Sequence, residues 1–374
     1  MKAESRVEDF FYSGRQFIVV DAGGGTVDIT GYEVAHDGSL SEIFPPSGGD
    51  WGGNNVNQEF ISLLKEICGE EIIAKFRQEF AGEYHELEMD IEFSKCRIKS
   101  ARTDQDFTLK IPSSLREMYK ENAGKNFNTT VNRFGKSFEI KLRADKIRFS
   151  QDLALSLFRQ SVSSIVNHLN VLLSQPDGQN IDAIILVGGF ANSSVLFNTL
   201  KSEFAPRKVI APNYQDGDAS WSILRGAVNY GHGSKVIGYR RSRRTIGFEV
   251  NEPYDKGHHQ VRQAVMVNGE ARCYNVFKKM VEKNQLLKAG EFKTEVVGVD
   301  LDWDGNLIFF ASDNKDPIFT NEESCFRIGS MRAEGPFQAN SALEIKMIFS
   351  KTEIEFEIKN IQSGLISKRF LTQF

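Results

Sequence analysis

Residues 21–30 read Asp-Ala-Gly-Gly-Gly-Thr-Val-Asp-Ile-Thr, directly after the apolar run Phe17-Ile18-Val19-Val20. Three consecutive glycines at the end of a buried strand remove every Cβ from one stretch of backbone. Several N–H groups can then close on an anion such as a phosphate. Asp21 in front and Asp28 behind are oxygen donors of the kind that order a Mg²⁺–water shell beside a phosphate, and Thr26 adds a hydroxyl. A tight hairpin alone needs no three glycines flanked by two Asp and a Thr. The stretch therefore reads as a phosphate-binding hairpin. It is not a P-loop, because no Lys-Ser/Thr pair and no helix follow it.

A second motif lies far downstream. Ile181–Val187 is a continuous apolar run, the pattern of a strand buried on both faces, and it ends in Gly188-Gly189-Phe190. From Ser193 onward Val195, Leu196, Thr199, Leu200 and Phe204 fall at helical spacing. A strand, two glycines and a helix N-terminus bring backbone close to a ligand, where the helix dipole favours negative charge.

With both motifs in hand, the chain resembles the 70-kDa heat-shock proteins, a branch of the actin-like ATPases. DAGGGTVD resembles their second phosphate motif and LVGGFANSSVL their adenosine motif. Gly48-Gly49-Asp50-Trp51-Gly52-Gly53 followed by Asn57 resembles the stretch after the hairpin, with Asn57 where the chaperones carry Asp. Glu92-Phe93-Ser94-Lys95-Cys96-Arg97 resembles the helix beside the adenosine. IPSSLREMY, SILRGAVNYG and GEARCYNVFKKMVEKNQLLKAGE point further, to the divergent heat shock 70 kDa protein 12 branch.

That resemblance implies ATP or ADP with Mg²⁺. Gly23, Gly24, Gly25 and Thr26 would present N–H groups to the β- and γ-phosphates. Asp21 and Asp28 would hold Mg²⁺ through water, and Asp21, Thr26 and Asp28 are the candidate catalytic groups. Gly53, Glu92, Lys95, Lys99, Gly188, Gly189, Phe190 and Asn192 would border the nucleotide. Conventional members carry Arg where Asn192 and Cys96 stand, and Asn cannot stack as a guanidinium does, so weak affinity is expected. Only residues 1–20 precede the hairpin, and no second Asp-x-Gly-Thr strand occurs. The chain thus reads as an α/β actin-like lobe, the second lobe only, followed by a β-rich sandwich, with negligible ATP hydrolysis. The implied function is an ATP-binding, chaperone-like protein whose sandwich holds extended polypeptide. A non-catalytic adaptor that keeps the fold is the alternative. Sugar kinases share the lobe but not the β-rich tail.

Composition suits two or three globular parts. Of 374 residues 40% are hydrophobic and 26% charged, enough for a sizeable core. A net charge of -4 argues against nucleic-acid or membrane-surface binding, and no apolar run is long enough to span a bilayer. The charged start is not a secretory signal. Cys68, Cys96, Cys273 and Cys325 lack metal or disulfide spacing, so free thiols and a cytoplasmic location are expected.

These motifs need elements to carry them. Residues 1–15 read as a charged N-terminal segment and 16–234 as the lobe, with an inserted subdomain over about 69–145. Asp37-Gly38 marks a turn between strands. Val56, Phe60, Leu63, Leu64 and Ile67 form one helical face, and Glu92–Arg97 lie on another helix. Leu153, Leu157, Phe158, Val162, Ile165, Leu169 and Leu172 trace one long helix, stopped by Pro176-Asp177-Gly178. Trp221, Leu224 and Val228 suggest one more. Residues 235–245, with Arg240, Arg241, Arg243 and Arg244, read as a basic linker, suited to exposure or to an acidic partner. Residues 246–374 read as an antiparallel sandwich of seven or eight strands, with hairpin turns at Asn268-Gly269 and Asp304-Gly305. Ile354, Phe356 and Ile358 alternate with charged residues as a half-buried strand does. His258-His259 has no third ligand at metal spacing.

Overall fold

The computed structural model describes residues 11–99, 107–138, 140–211, 219–232, 236–255, 264–267, 270–299, 303–337, 341–349 and 354–371. His258, His259, Asn268 and Gly269 lie outside them. Among the described residues no helix is long and apolar enough to cross a membrane. The chain divides into two compact units, Met1–Tyr32 with Ser47–Ser234, and Glu33–Pro46 with Lys235–Phe374.

Chain order begins with β1 (Gln16–Ala22), β2 (Val27–Val34), β3 (Leu40–Glu42) and β4 (Ser47–Gly49). There follow α1 (Gly53–Cys68), α2 (Glu70–Glu79), α3 (Ala81–Arg97), β5 (Phe107–Lys110), α4 (Ser113–Ala123), α5 (Phe127–Phe138), β6 (Ile140–Arg143) and β7 (Lys146–Phe149). Next come α6 (Gln151–Ser156), α7 (Arg159–Ser174), β8 (Ala183–Val187), α8 (Ser194–Glu203), β9 (Lys208–Ile210) and α9 (Ala219–Gly231).

In the first unit β1 runs parallel to β8, in register from Phe17 opposite Ala183 to Asp21 opposite Val187. Ile18, Val20, Ala183 and Ile184 are fully buried, as their uninterrupted apolar runs demand. Both glycine motifs therefore leave the sheet at the same edge, beyond the carboxyl ends of adjacent strands. That edge is where open α/β sheets bind ligands. β9 extends the sheet beyond β8, while β4 pairs antiparallel with β2. The α1 face is as expected, with Val56, Phe60, Leu63, Leu64 and Ile67 all buried. A small antiparallel sheet, β5-β7-β6, packs Phe107 and Phe149 against Phe60, with centroids 4.8 and 6.3 Å from its ring.

The helix expected over Leu153–Leu172 is two helices. The chain turns at Leu157-Phe158 between α6 and α7. Both residues keep helical dihedrals there, and the Phe158 ring, 1% exposed, stacks on Phe190 at 6.4 Å. The helix ends at Ser174, because Gln175 before Pro176 is extended, and Gly178 fits close against α7, where a Cβ would overlap the Leu172 carbonyl.

The second unit contains β10 (Ile237–Arg241), β11 (Thr245–Pro253), β12 (Ala264–Val267), β13 (Glu270–Val281), β14 (Leu286–Lys288), β15 (Phe292–Gly298), β16 (Asn306–Ser312), β17 (Cys325–Arg332), β18 (Ala342–Phe349), β19 (Ile354–Asn360) and β20 (Ile366–Leu371). The arginine-rich stretch read as a linker is therefore largely strand. β10 lies parallel to β3 and antiparallel to β14, which is why Glu33–Pro46 groups with this unit. Glu42, 3% exposed, accepts the Arg241 N–H at 2.8 Å, while Arg241 Nε–H donates to the Glu42 carbonyl at 3.2 Å. Burial pushes the Glu42 carboxyl up, against the pull of that N–H and of the Arg240 and Arg241 charges.

Two antiparallel sheets, β12-β13-β11-β16-β17 and β15-β18-β19-β20, make nine strands among the described residues where seven or eight are expected. Phe248 and Phe309 of the first join Ile345, Met347, Phe356 and Ile358 of the second in one buried cluster. The Phe309 and Phe356 centroids stand 4.0 Å apart. Asp304-Gly305 forms its turn, with Gly305 at φ +83, but it closes no hairpin. β15 pairs with β18, whereas β16 pairs with β11 and β17, so the turn carries the chain from one sheet to the other.

Candidate functional site

The hairpin between β1 and β2 is held from one side by the start of α1. Gly52, Gly53 and Asn54 donate their N–H groups to the carbonyls of Gly25, Gly23 and Gly24, at 3.2, 3.1 and 2.7 Å. In a trans peptide the C=O of one residue points opposite to the N–H of the next. With the carbonyls of Gly23, Gly24 and Gly25 all turned toward α1, the N–H groups of Gly24, Gly25 and Thr26 turn the other way. Those three residues are exposed. Gly23 differs from the sequence expectation, since its N–H donates to Thr26 O at 2.9 Å and closes the turn. The result is a row of three outward N–H groups, a nest-like arrangement suited to an anion. A Cβ on Gly24 would touch only the Asn54 side chain, at 3.5 Å, and one on Gly25 would meet nothing within 4 Å. Gly52 is needed for the grip itself, because its Cβ would stand 2.6 Å from Gly25 C.

Two carboxylates flank this nest. Asp28 is exposed and its Oδ2 accepts the Thr26 hydroxyl at 3.2 Å. Asp21 is partly buried, and burial, then the neighbouring Asp28 charge, raise its pKa. A cation beside both carboxylates would relieve that strain, so this pair fits a divalent ion held through water. Among the described residues no group of three or more His, Cys, Asp or Glu side chains gathers as a direct metal site.

The sign of the Asp21 shift gives a prediction. The native state holds this proton more tightly than the unfolded chain, so Asp21 removes stability as pH rises through its elevated pKa. Asp21→Asn should therefore raise the melting temperature of the ligand-free protein at pH 7. The gain should shrink as pH falls toward the ordinary carboxylate range of about 4. Melting curves across that range check it, and an unchanged or lowered melting temperature at pH 7 would refute it.

Across the strand ends, α3 supplies Glu92 and Lys95. Lys95 is 6% exposed and donates to Glu92 Oε2 at 2.6 Å and to the Gly53 carbonyl at 3.0 Å. Asn57 Nδ2 donates to the same Glu92 oxygen at 2.7 Å, and Cys96 Sγ approaches Oε1 at 3.5 Å. Burial opposes the Glu92 charge, but the Lys95 and Asn57 hydrogen bonds outweigh it and hold its pKa low. Glu92 is thus a half-exposed carboxylate with Oε2 committed to Lys95 and Asn57 and Oε1 held only by the weak Cys96 S–H donor. Lys95 is the buried counter-charge that keeps it ionised. Gly53 permits this packing, since its Cβ would lie 3.1 Å from Lys95 Nζ and 3.3 Å from the Phe190 ring.

The Phe190 side chain is buried between these groups and Phe158, so it forms the floor. Gly189 and Asn192 are exposed at the mouth, and Lys99 is exposed just past α3, its carbonyl accepting from Gln151 Nε2 at 2.9 Å. Gly188, at φ +93, brings the end of β8 against Asp21. Ser194 Oγ donates to Ile98 O at 3.2 Å, joining α8 to the end of α3.

Sequence reasoning missed one neighbour. His168 on α7 shares a 2.9 Å hydrogen bond with Ser47 Oγ and lies 5.3 Å, ring to ring, from Trp51. Burial pushes its pKa down. The available clue was Trp51 itself, the one large side chain in Ser-Gly-Gly-Asp-Trp-Gly-Gly.

This geometry can be set against known proteins. The chain is 31% identical over 282 residues to human heat shock 70 kDa protein 12B, covering 75% of this chain and 40% of that protein. It is 30% identical over 280 residues to heat shock 70 kDa protein 12A of human and of mouse, covering 74% of this chain and 41% of each relative. The chain belongs to the heat shock 70 kDa protein 12 branch of the 70-kDa heat-shock family. It spans about two-fifths of the length of these relatives. No protein-family model matches it. A solved structure, the pCBH ParM non-polymerisable quadruple mutant, is 14% identical with a TM-score of 0.32, covering 61% of this chain and 51% of its own. That likeness is too slight to bear on the fold. The candidate site in this chain is the nest, the Asp21/Asp28 pair and the Glu92–Lys95–Asn57 group.

Proposed function

We propose that the chain is a nucleotide-binding protein of actin-like lobe architecture that takes ATP or ADP with Mg²⁺ at this site. The observation that carries the reading is the row of N–H groups at Gly24, Gly25 and Thr26. It opens at the end of β1, beside two carboxylates and beside the Gly188-Gly189 end of β8. The nest would take the phosphates, and Asp21 and Asp28 would order the Mg²⁺ hydration shell, which neutralises phosphate charge. Glu92 Oε1 would accept a ribose hydroxyl, with Gly189 and Asn192 at the base. Neither Asn192 nor Cys96 can stack on a base as an arginine does, which supports modest affinity.

Calorimetry with Mg-ADP and Mg-ATP on the 374-residue chain should give a Kd on the order of 10 μM. A hundredfold excess of ligand over Kd should add about 2.7 kcal/mol of stability. Nanomolar binding would contradict the role given to Asn192 and Cys96, and no heat at millimolar ligand would end the nucleotide reading. Phosphoryl transfer depends on groups converging on the γ-phosphate. The described residues line one side of it, so this polypeptide should bind with negligible turnover.

The wider reading is chaperone-like: the second unit holds extended polypeptide, in the cytoplasm, where the four free cysteines stay reduced. The one-sided phosphate site also favours an adaptor that keeps the fold without turnover. A fluorescent extended peptide whose affinity shifts with Mg-ADP separates the chaperone from the adaptor, which would show no shift.

A further inference from the structure

We infer that His168 is a positioning residue for the phosphate nest, acting through Ser47 and Trp51. Residues 47–54 grip the hairpin at two places. On β4, Ser47, Gly48 and Gly49 pair with Ile29, Asp28 and Val27 at the start of β2. Farther on, Gly52, Gly53 and Asn54 donate to the three glycine carbonyls, and so set the direction of the N–H row.

Half of this gripping segment is glycine, at 48, 49, 52 and 53. Gly48, Gly49 and Gly52 are each held to glycine by a close approach: Gly49, for example, lies under Trp51, whose ring would stand 2.6 Å from a Cβ there. Glycine has the most backbone freedom to lose, so such a segment needs side-chain anchors to stay in one place. Its other residues are Ser47, Asp50, Trp51 and Asn54. Asp50 and Asn54 are exposed, whereas Ser47 and Trp51 are half-buried, and both meet His168. His168 stands on α7, whose Val162, Ile165, Leu169 and Leu172 are buried, so the anchor is mounted on a rigid element. One imidazole therefore anchors the two partly buried side chains of the segment, Ser47 at its start and Trp51 at its middle, beside the backbone hydrogen bonds that tie it to the hairpin. The side chain touches no part of the nest, and its effect is on geometry.

Hydrogen exchange on the ligand-free full chain tests this without any appeal to nucleotide. His168→Ala should speed exchange in residues 47–54 and at Thr26-Val27 while leaving β8 and the buried part of α7 at their parental rates. His168→Gln, whose Nε2 can stand near that of the imidazole, should restore most of the protection. In calorimetry, which rests on the nucleotide reading, His168→Ala should weaken Mg-ADP about tenfold, as loss of a well-placed hydrogen bond does. Unchanged exchange in 47–54, or a rise spread evenly through the unit, would overturn the inference. If His168→Ala does not fold, Trp51→Leu removes the ring contact and is judged by the same exchange pattern. If the parent itself fails to bind Mg-ADP, the nucleotide reading falls and the exchange result still decides the positioning role.

Discussion

Gly25→Val is expected to weaken Mg-ADP and Mg-ATP binding about a hundredfold while leaving the melting temperature of the ligand-free protein nearly unchanged. The expectation follows from the two faces of the hairpin. Its carbonyl face is occupied by Gly52, Gly53 and Asn54, and its N–H face is open. A Cβ on Gly25 would meet nothing within 4 Å, so the folded protein accommodates the new side chain. Its methyl groups would enter the space that a phosphate must occupy to reach the N–H row. Two charge-assisted hydrogen bonds lost, at about 1.5–3 kcal/mol each, account for the hundredfold or more. Gly25 is the cleanest of the three glycines for this purpose. A Cβ on Gly23 would press on Thr26 O at 3.1 Å and disturb the turn, and one on Gly24 would lean on Asn54. Calorimetry and a melting curve on the same sample decide the matter. Parental affinity in a well-folded variant would mean that the anion, if any, binds elsewhere.

What could be read from the sequence follows the range of the interactions involved. β1 and β8 are legible because burial on both faces leaves an uninterrupted apolar run. The glycines of 23–25 and 188–189 are legible because close backbone approach excludes a Cβ. The same logic makes β19 plain from Ile354, Phe356 and Ile358. Failures occur where a distant partner decides. Leu157 and Phe158 continue a helical period and are buried as it requires, yet the helix is broken between Ser156 and Arg159, where Phe158 stacks on Phe190. The arginines of 240–244 look solvated, yet β10 is a strand because Leu40 and Ser41 pair with it, and Arg241 meets Glu42 across 199 positions. Asp304-Gly305 shows correct turn chemistry, with Asp304 Oδ1 accepting the Asn306 N–H at 2.9 Å. Turn chemistry is local and strand partnership is not, so the sheets it joins were not legible. At the site, the grip of Gly52–Asn54 was invisible for another reason: backbone donors carry no residue signature.

The adjacent glycines Gly188 and Gly189 should respond to alanine with opposite signs. Gly188 sits at φ +93, where an L side chain is strained, and its Cβ would stand 2.5 Å from Asp21 Oδ1 and closer still to the Ala22 carbonyl. Neither neighbour can yield freely, because Asp21 pairs in register with Val187 and Ala22 closes the buried strand. Gly188→Ala should therefore destabilise the protein by about 3 kcal/mol, backbone strain and overpacking together. Gly189 is at φ -65 and ψ -40, a conformation alanine prefers, and its Cβ would meet nothing within 4 Å. Gly189→Ala should stabilise by about 0.5 kcal/mol, through the lower entropy of the unfolded chain. Gly189 is exposed beside the proposed nucleotide site, so the same variant should bind Mg-ADP more weakly than the parent, stability rising as function falls. Urea midpoints give the first pair of signs and calorimetry the third. Equal losses of stability at both positions would show that the requirement at Gly188 is not the approach of β8 to Asp21, and the joining of the two glycine motifs would need another cause.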